Sequence, residues 1–306
     1  MSAFQIAVLV FSGLVLFIHA IQHFSKHLQQ VSNSWLPRFL EFSTRYTLAG
    51  FFLGAVATAL IQSSTAITVM LVGFVGSGIM RFERTIPVIL GANVGTAVTA
   101  QIVALKIADI GPIFLIIGWL VSLLKDPFKS SGKIIFYFGL VLFSLHLMSE
   151  YVGPLAKTEE FQAFLTLSSN PWMAILTGTV ATGIIQSSSV VTGVGVLLVQ
   201  QGLMPLDASI GFMLGANLGT TFTSVLAAFN LDRAAKMTAI AHVVFNIMGV
   251  LLFAPFISPF SNWLITISGD PGLAMANGHF LFNLITGLIV LPFTHSFARF
   301  IEKFCS

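Results

Sequence analysis

Long apolar runs interrupted at fixed intervals by short polar clusters set the plan of this chain. About 20 apolar residues cross a bilayer as a helix. Such runs lie at 4–24, 86–105, 133–150, 208–229, 234–256 and 273–297, with a shorter one at 110–124. Two further apolar regions, 46–80 and 171–203, are each long enough for two half-length helices and carry polar residues near the middle. Each reads as a re-entrant helical hairpin that enters and leaves on one side, because irregular backbone at that depth is tolerated only where protein buries it or water reaches it. The run from Phe4 to Ala20 lacks a basic start and a small-residue cleavage site, so it reads as the first span rather than a cleaved leader.

The polar clusters recur. Gln62-Ser63-Ser64-Thr65 returns as Gln186-Ser187-Ser188-Ser189, and Gly91-Ala92-Asn93-Val94-Gly95-Thr96 returns as Gly215-Ala216-Asn217-Leu218-Gly219-Thr220, both 124 residues on (186 − 62 and 215 − 91). At the same offset the first span falls on 128–148, the amphipathic stretch 34–45 on 158–169, and 110–124 on 234–248. Each copy therefore holds a span, a surface helix, a hairpin and two more spans. Three crossings is an odd number, so the second copy must lie upside down relative to the first. The expected fold is an all-α polytopic membrane protein of two inverted-topology repeats, each with a re-entrant hairpin and a broken transmembrane helix (86–105 and 208–229). The first repeat covers 1–125, the second 126–256, and 257–306 adds an extra span and a tail.

Charge placement gives an independent reading of orientation. With the N-terminus outside and the C-terminus cytoplasmic, all of the 14 basic residues except Lys106 and Lys157 fall on the cytoplasmic side, as the positive-inside rule expects. The first hairpin leaves at Arg81 and Arg84 and the second at Gln200-Gln201-Gly202, so one opens inward and the other outward.

Composition narrows the class. The chain is 56% hydrophobic and 8% charged, against roughly 25% charged in an ordinary soluble domain, and its mean hydropathy is +0.94. A formal net charge of +3 gives no reason to expect a nucleic-acid partner, and the single cysteine, Cys305, cannot form an intrachain disulfide. No His/Cys spacing suggests a transition metal, and no cofactor is expected.

The clusters carry the chemistry. At a hairpin tip the start of the outgoing half-helix exposes orphan N–H groups with the positive end of the dipole behind them. Ser63, Ser64 and Thr65, with Ser187, Ser188 and Ser189, add hydroxyl donors there, and Gln62 and Gln186 add amides. An oxyanion held between the tips would meet neutral donors from both sides. Unwound carbonyls at the glycine pairs, with Asn93, Thr96, Asn217, Thr220 and Thr221, would form a neutral all-oxygen set suited to a hard cation such as sodium. No Asp, Glu, Lys or Arg lies in the middle of a span or tip. A multivalent anion there needs companion cations, and proton coupling would rest on His19, His146, His242 or His279 alone. Taken singly, a Gly-x-x-x-Gly pair is ordinarily helix packing and a Ser-Ser pair is back-bonded to its own helix; repetition of both at one offset argues for a site. His242 and His279 each open a His-x-x-Phe-Asn run (242–246 and 279–283) whose His and Asn share a helix face and can simply hydrogen-bond across helices.

The doubled Gln-Ser-Ser-Ser/Thr, each followed by Gly-Ala-Asn-x-Gly-Thr, resembles the type II sodium-dependent phosphate cotransporter family in a compact bacterial form. The likeness is strong over roughly 45–105 and 171–250. It implies a multi-pass carrier of the plasma membrane, not an enzyme, that moves inorganic phosphate with sodium. Gln62, Ser63, Ser64, Gln186, Ser187 and Ser188 would form the substrate region. Sodium would use the neighbouring hydroxyls, Thr65 and Ser189 among them, together with the Asn-x-Gly-Thr segments. The first repeat has Gly118–Ser122 where the second has His242–Asn246, and neither has the aspartate that electrogenic animal members carry in that run. The alternatives are a proton-coupled or arsenate- or sulfate-preferring carrier of the same fold, a membrane hydrolase with a serine nucleophile, and a passive channel.

Overall fold

A computed structural model describes residues 2–32, 46–105 and 107–305. Among these residues all regular structure is helical. Residues 34–45, where a surface helix is expected, lie outside the described residues, as does Lys106.

The long apolar runs become long helices: α1 (Ala3–Ser32), then, beyond two short helices α2 (Thr47–Ile61) and α3 (Ser64–Gly76), α4 (Phe82–Ala104). A 3-10 turn leads into α5 (Gly111–Ser122), followed by α6 (Phe128–Leu155) and the short α7 (Glu159–Ser168). The second set runs α8 (Pro171–Ile185), α9 (Ser188–Gln200), α10 (Leu206–Gly219), α11 (Thr221–Ala228) and α12 (Arg233–Phe253). Three more helices close the chain: α13 (Ile257–Ser268), α14 (Pro271–Val290) and α15 (Thr294–Phe304). Six helical stretches among the described residues are long and apolar enough to cross a membrane: Phe4–Ser32, Phe82–Ala104, Phe128–Leu155, Leu206–Ala228, Arg233–Ser268 and Pro271–Phe304. The protein is a multi-pass membrane protein. Its outer faces carry the apolar side chains that lipid solvates, for example Phe11, Phe52, Ile116, Ile184 and Leu251, all well exposed.

Helix boundaries follow the sequence offset. α2, α3 and α4 begin at 47, 64 and 82, and α8, α9 and α10 begin at 171, 188 and 206, each 124 later. The 13- and 15-residue helices α2, α3, α8 and α9 are about 20–22 Å long at ~1.5 Å per residue, short of the ~30 Å hydrocarbon core.

Two expectations are corrected. The run 86–105 is not a broken helix: α4 is continuous through Pro87, Gly91 and Gly95. Its glycines serve close packing. A Cβ on Gly91 would sit 1.8 Å from the carbonyl oxygen of Phe51, and one on Gly95 2.3 Å from that of Ala55, so α2 lies directly against α4. The second copy repeats this, with Gly215 and Gly219 against the carbonyls of Ile175 and Thr179 on α8. There the helix is interrupted only at Thr220, whose dihedrals (φ −65, ψ −21) stay helical. The first copy is thus unbroken, whereas the second is divided at Thr220. The run 110–124 is one of the shorter apolar helices; α5 has 12 residues, about 18 Å at the same ~1.5 Å rise. The expected span 273–297 falls within the apolar helical stretch Pro271–Phe304, in which a 3-10 turn at Leu291–Phe293, where Pro292 lacks a backbone donor, separates α14 from α15. Pro255 does the same between α12 and α13, and α13 itself was not foreseen.

Candidate functional site

The two Gln-Ser-Ser turns have one geometry. Gln62 (φ 59, ψ 30) and Gln186 (φ 59, ψ 26) end α2 and α8 in the left-handed region, a conformation uncommon outside glycine. Ser63 and Ser187 follow in extended conformation and cap the next helix, each hydroxyl accepting from a backbone N–H, of Ala66 at 3.1 Å and of Val190 at 3.4 Å. The caps use acceptor lone pairs only, so both hydroxyl protons remain available. Ser64 and Ser188 open α3 and α9, are buried, and make no side-chain hydrogen bond among the described residues.

Both turns face one cavity of about 300 Å³. Gln62, Ser63, Ser64 and Thr65 line it from one copy and Gln186, Ser187, Ser188 and Ser189 from the other. At ~30 Å³ per water the space suits a small tetrahedral anion with part of its hydration. None of its lining residues is charged. The structure thus brings together all six residues expected to hold substrate, with Thr65 and Ser189 from the expected sodium set. It leaves Asn93, Thr96, Asn217, Thr220 and Thr221 outside the lining.

A hydroxyl joins the two copies. Thr99 of α4 donates to Gln62 Oε1 at 2.6 Å and lies 3.4 Å from the Ser189 hydroxyl. The Gln62 amide nitrogen donates to the Ala59 carbonyl at 2.5 Å. Gln186 has no such tether and is exposed, and its counterpart threonine, Thr223, donates to the Thr220 carbonyl at 3.0 Å. Thr99 and Thr223 escaped the sequence reading although they repeat at the motif's own offset. So did Gln22, Ser25 and Gln29, a polar stripe of α1 that completes the cavity wall; their three- and four-residue spacing was the available signal.

The asparagines do something else. His242 Nε2 lies 3.3 Å from Asn93 Oδ1, and Asn93 Nδ2 donates to Asn246 Oδ1 at 3.3 Å. His279 Nε2 lies at the same 3.3 Å from Asn217 Oδ1, and Asn246 and Asn283 donate to the carbonyls of their own histidines at 2.9 Å. Each His-x-x-Phe-Asn run thus clasps one copy of the glycine motif. The run missing from the first repeat is supplied by α14. The correspondence extends to the prolines: 242, 246 and 255 match 279, 283 and 292 at an offset of 37 (279 − 242). His242 is held at both nitrogens, with Nδ1 2.8 Å from the Ser224 hydroxyl, whereas His279 Nδ1 and Asn283 Oδ1 are buried without partners among the described residues. Five buried hydroxyls also lack partners among the described residues: four fall in two pairs at the repeat offset, Thr58 with Thr182 and Thr68 with Thr192, and the fifth is Ser168.

The model of the Na+/Pi-cotransporter family matches residues 16–150 and 142–257. The chain is 37% identical to the uncharacterized protein YqeW of Bacillus subtilis over 95% of this chain and 96% of that protein. It is 27% identical, over 83% of its length, to a Salmonella typhimurium protein provisionally named inorganic phosphate export protein YjbB, of which it covers 47%. It is 36% identical to the sodium-dependent phosphate transport protein 2B of Mus musculus over 40% of this chain and 18% of that protein. No solved structure matches it.

Proposed function

This chain belongs to the Na+/Pi-cotransporter family, a family of transporters rather than enzymes, and from that premise we propose that it is a sodium-coupled symporter of inorganic phosphate working by alternating access. Phosphate sits between the turns at Gln62-Ser63-Ser64 and Gln186-Ser187-Ser188. The observation that carries this reading is the single uncharged cavity that both turns line.

The cavity's chemistry supports sodium. An oxyanion there meets hydroxyl and amide donors but no cationic side chain, so its charge is uncompensated unless cations bind with it. Thr65 and Ser189 are the hydroxyl ligands that such cations would use beside the anion, and Thr96, Thr220 and Thr221 lie outside the cavity lining. Asn93 and Asn217 act through packing in this reading, because their amides are engaged by His242, Asn246 and His279. The buried polar side chains among the described residues include no carboxylate, which argues against a proton relay.

The architecture proposed is two inverted repeats, 1–125 and 126–256, with 257–306 added. The recurring helix bounds and the short polar-tipped pairs α2–α3 and α8–α9 support re-entrant hairpins from opposite faces. Orientation in the plasma membrane is N-terminus outside and C-terminus cytoplasmic, on the distribution of basic residues.

The test is purified full-length protein in proteoliposomes, with sodium, potassium and proton gradients imposed in turn and arsenate and sulfate as competitors. Radiolabelled phosphate should accumulate under the sodium gradient alone. Undiminished uptake without sodium would reject the coupling.

A further inference from the structure

A second cleft, of about 330 Å³, lies among the starts of three helices and shares no residue with the central cavity. Thr47 opens α2, Arg81, Glu83 and Arg84 surround the start of α4, and Thr294 and His295 open α15. The first helices of this group are uncapped. Tyr46 before α2 and Arg81 before α4 provide no side-chain hydrogen bond to the helix, as is also the case at Pro127, Thr158 and Pro205. Orphan N–H groups and the positive ends of a 15-residue and a 23-residue helix therefore remain beside the cleft.

Its side chains point to a ligand independently of the helix ends. Thr294 is 6% exposed and lines the cleft, and its hydroxyl makes no hydrogen bond among the described residues. The side chains of Arg81 and Arg84 make no ion pair or hydrogen bond among the described residues, and both residues line the same space. Glu83 opposes an anion, but two guanidinium groups outweigh one carboxylate. Guanidinium forks match phosphate oxygens in geometry as well as charge.

The surroundings select the carrier of that phosphate. From Thr47 along α2, Leu48, Phe52, Val56 and Leu60 are all exposed, one every four residues, an unbroken apolar track leading away from the cleft. α15 buries Phe297, Ala298 and Ile301 and exposes Phe300 and Phe304 beside Arg299, the two-faced pattern of a helix lying in the membrane interface.

We propose that the cleft formed by Arg81, Arg84, Thr294 and His295 binds a phosphate-bearing anion, presented as the headgroup of an anionic phospholipid whose chain follows the α2 track. The test uses purified full-length protein with phosphatidylglycerol, phosphatidylcholine and inorganic phosphate as probes, with bound lipid read by native mass spectrometry and stability by thermal unfolding. Wild type should retain phosphatidylglycerol over phosphatidylcholine. Arg81→Gln/Arg84→Gln should weaken retention on the order of twentyfold, at about fivefold per surface charge, and Glu83→Gln should strengthen it by about fivefold. A thermal shift by inorganic phosphate that the arginine pair loses, without a lipid preference, assigns the same chemistry to free phosphate. The Glu83 variant keeps the test decisive if the arginine pair folds poorly. Lipid retention and phosphate response unchanged in every variant would overturn the proposal.

Discussion

Thr99 holds Gln62 by a 2.6 Å hydrogen bond, whereas Thr223, its counterpart 124 residues later, turns back to the carbonyl of Thr220. Two copies with nearly one sequence here, and one backbone geometry at the turn, thus differ in how the glutamine side chain is held. In an alternating-access carrier built from repeats, the halves exchange conformations between states. Gln186 should therefore bond Thr223 in the opposite state, when Gln62 is released from Thr99. With Cys305 replaced by serine, cysteine pairs at 62/99 and 186/223 should cross-link in opposite proportion as sodium and phosphate are varied. Yields that rise and fall together would contradict the exchange.

Adjacent serines in each turn should separate by what they do. Ser63 and Ser187 cap helices, so Ser63→Ala or Ser187→Ala should lower stability by about 1 kcal/mol. Ser64 and Ser188 have no structural hydrogen bond to lose. Ser64→Ala and Ser188→Ala should leave the thermal midpoint close to wild type while weakening phosphate binding roughly tenfold, the worth of about one hydrogen bond to a charged group. Equilibrium binding and thermal unfolding on the same four variants check both halves.

Glycine substitutions test the corrected role of the Gly-Ala-Asn-x-Gly motif. Gly91→Ala and Gly215→Ala would drive a methyl group to 1.8 Å and 2.0 Å from backbone oxygens, so each should destabilise by about 1–3 kcal/mol or more. Gly73, also helical, has nothing within 4 Å of an added Cβ, and Gly73→Ala should be neutral or stabilising by up to ~1 kcal/mol. Thermal unfolding in detergent compares them. Equal tolerance at Gly91 and Gly73 would remove the packing account.

The two histidines should differ. His242 bridges Asn93 and Ser224, while His279 reaches Asn217 through one nitrogen. His242→Ala should cost more stability than His279→Ala. A double-mutant cycle between His242 and Asn93 should give about 0.6 kcal/mol, and at most ~1.7, as for other buried polar pairs in membranes. A coupling of zero would make that contact incidental.

These contrasts mark what could be read ahead. The turns at Gln62 and Gln186 were legible because polar residues in the middle of an apolar run have few tolerable places, and repetition removed the ambiguity. Gly91 and Gly95 were not, since glycines spaced four apart look the same whether they loosen a helix or seat a neighbour against it. Thr99 was hidden among threonines that bond their own helix, and only the partner across the cavity distinguishes it. Both His-x-x-Phe-Asn runs and their capacity to bond across helices were legible, but not which glycine motif each would hold. The chain places the second run 37 residues after the first, in α14, where it clasps Asn217.

The most direct test of the central claim is sodium-driven uptake of radiolabelled phosphate into proteoliposomes by wild type, Ser64→Val and Ser188→Val at matched protein incorporation. Wild type should accumulate phosphate under an inward sodium gradient, and either valine, which removes a donor and adds bulk at the shared cavity, should abolish accumulation. Uptake at the wild-type rate by either variant would contradict an anion held between the two turns.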